Sequence, residues 1–464
     1  MSKKDKKPQK ELKRLKIPIV AINDNIVFSK KEVWAYYKVA TVPFDFLSQS
    51  AKANMASSTM NGLASICQSE GRKVDGHILI TNTPFDIQSW AQQIDRSYLD
   101  WHDDYTEPYY KFIDEQIYDL AQEGFQKPVV YLGIKLFTRG SFDLDAANVF
   151  EFGLKDAYKT FKKAVNNLFI IPTADISASE EKKAREKELE IARILSTGQL
   201  RAIPASSEEL LLTLKRQFYP SMPAPYLDVN HGTRLGLKDI AVEAGGVIEN
   251  KYRYLKFSQL VDDQIYEGYR ATLSFARFPE DMSMPGSQLP FLYMPAAKGL
   301  PYTLNSRFTM IPHQEIKKDL NKKKMETDDE LENLGGSGQG SNASIEGTMR
   351  DLAELETSLE NSKQPWLNGA YRVTIEMPTF DSLKSAIAQL KQEYAESDTL
   401  LIWTTGDQME LFIEEMPGSN IMMSSFNQRT SLSMLGVSGF NIGGLAGDPI
   451  DEKLILTERG RHGK

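Results

Sequence analysis

Near the end of the chain, extended and helical stretches follow one another in a fixed order, and that order limits the fold more than any other feature. After Pro365, AYRVTIEMP is β-branched and alternates in polarity, TFDSLKSAIAQLKQEYAES is amphipathic with an acidic start, and TLLIWTT is again extended. Gly406-Asp407 then reads as a turn and MELFIEEMPG as a further strand, so residues 364–420 predict a β-α-β-β unit. The start of the chain has a similar order. IPIVAI and IVF are strands around the turn residues Asn23-Asp24-Asn25, and EVWAYYKVATV alternates around aromatic residues. A helix follows from about Ser48 to Glu70, with Met55, Met60, Leu63 and Ile66 on one face; Gly71 and Asp75-Gly76 stop it before the strand HILITN. Strand, helix and strand in that order make half of a ferredoxin-like unit. The expected fold class is therefore α+β, with at least two ferredoxin-like units, near 26–135 and near 368–417, and a charged helical insertion.

The intervening sequence fills in the organisation. SWAQQIDRSYLDW, DDYTEPYYKFIDEQIYDLAQEGF and residues 144–169 read as helices, and PVVYLGIKLF reads as a buried strand. Residues 177–201 are charged and helical. Ser207 ahead of Glu208 and Glu209 reads as the cap of a leucine-rich helix ending near Pro220. Strands return from Gly245: Glu249-Asn250 reads as a turn between two extended runs, and YRATLSFARFP is a strand, while residues 283–305 read as loop with short strands. EIKKDLNKKKMETDDELENL and EGTMRDLAELETSLENS then form two charged helices around GGSGQGSNAS, residues 335–344. Leu352, Leu355 and Leu359 keep a helical stripe, which favours a projecting hairpin over a solvated linker. Its glycine-rich tip is expected to be the first site of protease cleavage.

The boundaries that follow are a basic tail over 1–25, a first α+β domain over 26–220, and a strand-rich continuation over 221–313. Next come the helical hairpin insertion over 314–363, the ferredoxin-like unit over 364–420, and a glycine-rich connector over 421–464.

Charge and composition exclude several classes of function. Lys and Arg number 55 against 63 Asp and Glu, a net charge of −8, which argues against a surface given over wholly to nucleic acid. The first 16 residues differ, with eight basic and two acidic side chains, a balance of +6. Such a tail serves either as a solubilising segment or as an electrostatic tether to anionic lipid. The sole cysteine, Cys67, allows no internal disulfide and no cysteine-based zinc site, and fits a reducing compartment. No apolar run is long enough for a transmembrane helix, and the basic start lacks the apolar segment of a secretory signal.

The search for chemistry singles out few residues. GFNIGGLAGDP, residues 439–449, is rich enough in glycine for close approach to a phosphate, but it lacks the Lys and the Ser/Thr of a P-loop. The terminal Gly463-Lys464 resembles the end of such a motif without the first glycine or the following helix. The five histidines, His77, His102, His231, His313 and His462, show no metal-binding spacing, and Asp407 and Asp448 have no phosphate-binding partner nearby in sequence. Trp34, Tyr36, Tyr37, Tyr109, Tyr110, Tyr252 and Tyr254 make a base-stacking surface conceivable, although those in strands alternate as core residues do. No catalytic, cofactor-binding or metal-binding residue is assigned on this basis.

Several longer patterns together resemble a known family. EVWAYYKVATVPFDFLSQS followed by a helix, a strand and TPFDIQSWAQQ is similar to the opening of the large conjugation ATPases of the type IV secretion class, the TraC/VirB-four type of Gram-positive mobile elements. The resemblance continues through RYLKFSQLVDDQ, ATLSFARFPEDMSMPG, PYTLNSRFTMIP with its charged insertion, LIWTTGDQMELFIEEMPGS and SSFNQRTSLSMLGVSGFNIGGLAGDP. It covers about residues 26–450. It implies a region that precedes a RecA-like motor, docks it to inner-membrane channel subunits and promotes self-association. The family's nucleotide-binding residues have no matching positions here, so no cofactor is expected in this chain. ATP and Mg²⁺ belong to the motor, and the chain is an ATPase only if a RecA-like domain follows. The resemblance also implies a cytoplasmic location, peripheral to the membrane through partners, with no small-molecule substrate and with direct nucleic-acid binding left open. A stand-alone, non-enzymatic adaptor or scaffold derived from a truncated transfer gene is the alternative.

Overall fold

The computed structural model describes residues 17–42, 44, 47–84, 126–139, 176–197, 200–222, 234–236, 246–261, 264–279, 290–336, 352–353, 356 and 364–442. The basic tail through residue 16, the helices expected within 85–125 and 144–169, most of the second hairpin arm, the tip at 337–344 and the chain after Ile442 lie outside the described residues.

The described residues form a mixed α+β fold around one large antiparallel sheet. Its strands are β1 (Ile19–Asn23), β2 (Ile26–Ser29), β3 (Glu32–Val39), β4 (Val74–Pro84), β5 (Gln126–Thr138), β6 (Ala202–Pro204), β7 (Arg234–Gly236), β8 (Val247–Asn250), β9 (Leu255–Val261), β10 (Gln264–Arg277), β11 (Tyr302–Ile311), β12 (Trp366–Met377), β13 (Leu400–Trp403) and β14 (Gln428–Ser431). The eight helices among the described residues are α1 (Gln49–Glu70), α2 (Ala178–Thr197), α3 (Ser207–Arg216), α4 (Met294–Ala297), α5 (His313–Gly336), α6 (Phe380–Glu396), α7 (Gln408–Glu415) and α8 (Leu432–Val437).

The main path across the sheet runs β7-β1-β2-β3-β5-β4-β11-β12-β10-β9-β8. β6 joins β3, β13 joins β10 and β14 joins β12. Strand β5 lies between β3 and β4, antiparallel to both, so β3 and β4 are parallel and α1 crosses between them. Strand β10 takes the same place between β12 and β13, which α6 connects. The two halves meet where β4 pairs with β11. Each helical crossover therefore carries the chain past one strand.

The alternation read from the sequence places opposite sets of side chains on the two faces. On one face Val33, Ala35, Ile78, Ile80, Leu132, Ile134, Leu273 and Val373 bury against helices that include α1, α2 and α6. Helix α1 is capped by the Ser48 side chain, which accepts from the Ala51 amide, and ends where Gly71 adopts φ +60°. That left-handed turn suits glycine and closes the helix. On the other face Trp34, Tyr36, Tyr131 and Phe257 meet α3 and α7. The segment read as a connector is folded as far as Ile442. β14 pairs with β12, and Leu432, Leu435 and Phe440 lie in the larger core.

Four local readings are corrected. MELFIEE is a helix, α7, because burial follows a helical face through Gln408, Leu411, Phe412 and Glu415. The helix α3 cap is Ser206, whose spacing to Glu209 completes a reciprocal capping box that Ser207 would miss by one residue. Glu249-Asn250 ends β8 in register with Lys256 and Leu255, and the chain turns over 251–254. Asp75-Gly76 is interior to β4. Glycine is needed there because a Cβ would sit 2.5 Å from the Phe308 ring on β11.

Of the two hairpin arms, α5 is described along its length. Leu352 of the second arm buries with Ile316 and Leu320, and Glu356 pairs with Lys324.

Candidate functional site

The most concentrated chemistry among the described residues lies between the sheet and α7. Three arginines stand on adjacent strands with their side chains almost wholly buried: Arg270 on β10, Arg372 on β12 and Arg307 on β11. A buried guanidinium is costly unless it is paired and hydrogen-bonded. The chain supplies partners from the stretch 408–423, laid across these strands. Arg270 pairs with Glu415 and, at 3.2 Å, with Glu376. Arg372 pairs with Glu414 and donates to the Met423 carbonyl at 2.8 Å. Arg307 donates to the carbonyls of Glu414 and Met416, both at 2.8 Å.

The surrounding polar groups extend these pairs into a network. Glu415 accepts from the Thr374 hydroxyl at 2.8 Å, and Glu414 accepts from the amides of Met422 and Met423 at 2.9 Å. Gln408, at the start of α7, accepts from the Thr272 amide and donates to the Thr272 carbonyl, and so continues the pattern of a sheet edge with a side-chain amide. Arg270 lies over the Phe412 ring and Arg307 over Trp34, at 4.9 and 5.1 Å. Burial works against the Arg270 charge, but Glu415 and Glu376 outweigh it and raise its pKa. Burial raises the pKa of Glu376, with Arg270 opposing the shift.

At one end, Tyr36 joins β3 to this network. The Gly418 amide donates to its hydroxyl at 2.7 Å, and the hydroxyl lies 2.9 Å from Nδ1 of His77 on β4. Burial and then the charge of Arg307 lower the His77 pKa well below its usual value, which keeps the ring neutral. Burial raises that of Tyr36. Gly418 itself has φ +75°, and a Cβ there would meet Val27 at 2.5 Å.

Chemically, this arrangement clamps a chain segment onto a sheet. Its three arginines are sealed from solvent, Arg270 and Arg372 against carboxylates and Arg307 against backbone carbonyls. No group of His, Cys, Asp and Glu able to hold a metal occurs among the described residues. Sequence reasoning missed the network because its arginines and glutamates lie about 40 to 150 positions apart and look like solvent-facing strand residues.

The residues singled out from the sequence scatter. His77 is the buried partner of Tyr36, and His313 opens α5. His102, His231, His462, Asp448, Tyr109, Tyr110 and Gly463-Lys464 lie outside the described residues. Asp407 precedes α7 without a side-chain capping bond. Of the glycine-rich stretch, only residues 439–442 are described, where Ile442 bridges Val42. Trp34, Tyr36 and Tyr37 are core residues, Tyr254 packs against Phe380, and Tyr252 is exposed.

The surface offers apolar groups near one sheet margin. β8 ends the main strand path, and Val247, Tyr252 and Ile265 are exposed on the β8–β10 hairpins. No described helix is long and apolar enough to cross a membrane. No protein-family model and no curated protein matches the chain.

Proposed function

We propose that this chain is a docking and assembly module of a type IV secretion ATPase of the TraC/VirB-four type, which helps couple a motor to the membrane channel during conjugative DNA transfer. One observation carries the reading. The stretches that bear the resemblance, including β3, β9–β10, β11, the run from β13 through α7, and 424–442, lie on one sheet, and several meet at the buried ionic network. The described parts of that pattern thus share one scaffold, whose buried charges help to hold it together. The module then acts through its surfaces, toward inner-membrane channel subunits and toward copies of itself. On this reading it works in the cytoplasm at the membrane periphery.

The two interleaved β-α-β arrangements, β3-α1-β4 around β5 and β12-α6-β13 around β10, support the further reading that each half is a ferredoxin-like unit. Nucleotide and Mg²⁺ belong to the motor in this reading, and the module contributes no ligand to either. The test is co-purification of the tagged chain from cells that express the channel subunits of the transfer apparatus. Specific recovery of an inner-membrane subunit is expected. Recovery of none of them contradicts the proposal.

A further inference from the structure

Helix α5 is amphipathic in an unusual sense. Its inward side is apolar: Ile316 and Leu320 are buried with Leu352 from the second arm, and Thr327 is buried on the same side. An α-helix turns about 100° per residue, so Lys318, Lys322, Met325 and Asp329 form a stripe on the opposite side. All four are exposed, and Met325 is 68% exposed, a large apolar side chain amid charges. Along this stripe the charge changes sign at the methionine. Lys318 and Lys322 precede it and Asp329 follows, with Asp328 beside the stripe.

That order does little for the helix itself. The first turn already carries Glu315, and the charges from Lys318 to Asp329 lie too far from either end to feel the helix dipole. The intrahelical pair Lys322–Glu326, 3.7 Å apart, also has the weaker orientation, with Lys preceding Glu. The pattern is instead self-complementary. When a second copy lies antiparallel across Met325, Met325 meets Met325 on the two-fold axis. Lys322, three residues before the axis, then faces Asp328 and Asp329, three and four residues after it, and symmetry repeats the contact.

We infer that the outer face of α5 is a self-association surface, occupied by the same face of a second copy of this chain in antiparallel register centred on Met325. The inference rests on the assembly reading above in taking a second copy as partner, and adds the surface and its register. The contacts are exposed ion pairs around one small apolar centre, so the association is weak and sensitive to salt.

The test uses the full chain. Cys67 is buried and is the sole cysteine, so an introduced cysteine is the only accessible thiol. Met325→Cys is expected to form a disulfide-linked dimer under mild oxidation. Lys323→Cys, exposed but on another side of the helix, is expected to remain largely monomeric. In sedimentation of the otherwise unmodified chain, Lys318→Glu with Lys322→Glu is expected to weaken self-association by about tenfold or more, as is Asp328→Lys with Asp329→Lys. Mixing these two variants is expected to restore association as a heterodimer. Equal cross-linking at 323 and 325, failure of the mixture to recover, or a chain that is monomeric at every concentration overturns the inference. The docking reading is judged separately, because recovery of a channel subunit is unaffected by which of these results is obtained.

Discussion

At the residue scale, stability turns on charges that never meet solvent. Removing one member of a buried ion pair costs about 3–5 kcal/mol, because the other is left uncompensated. Arg270→Met is therefore expected to destabilise the fold by about that amount in denaturant unfolding. Arg270→Met combined with Glu415→Leu is expected to regain part of the loss, since Glu415 is then no longer left uncompensated and only Glu376 loses its partner. His77 gives a pH signature. Its pKa is lowered in the folded chain, so below about pH 6.5 the unfolded chain takes up a proton that the folded one refuses. Stability is then expected to fall with decreasing pH, by at most about 1.4 kcal/mol per unit from this group, until the folded pKa is reached. Glu376, whose pKa burial raises, works in the opposite direction, because the folded chain holds its proton more tightly. Comparing unfolding of the parent chain with that of His77→Gln isolates the histidine contribution. An unchanged pH profile would mean that His77 is not held neutral by its surroundings.

At the scale of elements, helix ends and strand runs follow local chemistry, while partner choice does not. The capping box at Ser206 and Glu209 ties down the first turn of α3. Ser206→Ala is expected to cost about 1 kcal/mol in thermal or chemical unfolding, and Ser207→Ala much less. β10 and β12 were legible because YRATLSF and YRVTIEM alternate in polarity, and β3 because it is rich in aromatic and β-branched residues. Helix α1 was legible from its apolar face, its Ser48 start and its Gly71 stop. The α7 segment misled because Met409, Leu411 and Ile413 also alternate. What decides its structure is Gln408 and Glu415 facing Thr272, Thr374 and Arg270, contacts that no local window contains. For the same reason the insertion of β10 between β12 and β13, roughly a hundred positions later in the chain, could not be read in advance. The candidate site was the least legible part, since each arginine looked like an outward-facing strand residue until the stretch 408–423 covered it.

At the scale of the whole molecule, one sheet gathers nearly every described element, and its ionic centre joins both halves. β4 and His77 come from the first half, and β11, β12 and α7 from the second. A perturbation of this centre is therefore expected to affect the molecule as a unit, so that fluorescence and circular dichroism of Arg270→Met report one coincident unfolding transition. Calorimetric titration with ATP and Mg²⁺ is expected to give no micromolar binding. A micromolar dissociation constant lost on substitution within 443–448 would instead assign that stretch a nucleotide site. Docking to a transfer channel is read out by flotation of the purified chain with membrane vesicles that carry the channel subunits, alongside vesicles of the same anionic lipid composition without them. Flotation with the channel-bearing vesicles is expected to persist in salt high enough to screen the basic tail, with little flotation on the bare ones. Equal flotation with both, abolished by salt, would reduce membrane attachment to lipid attraction of the tail and contradict the claim.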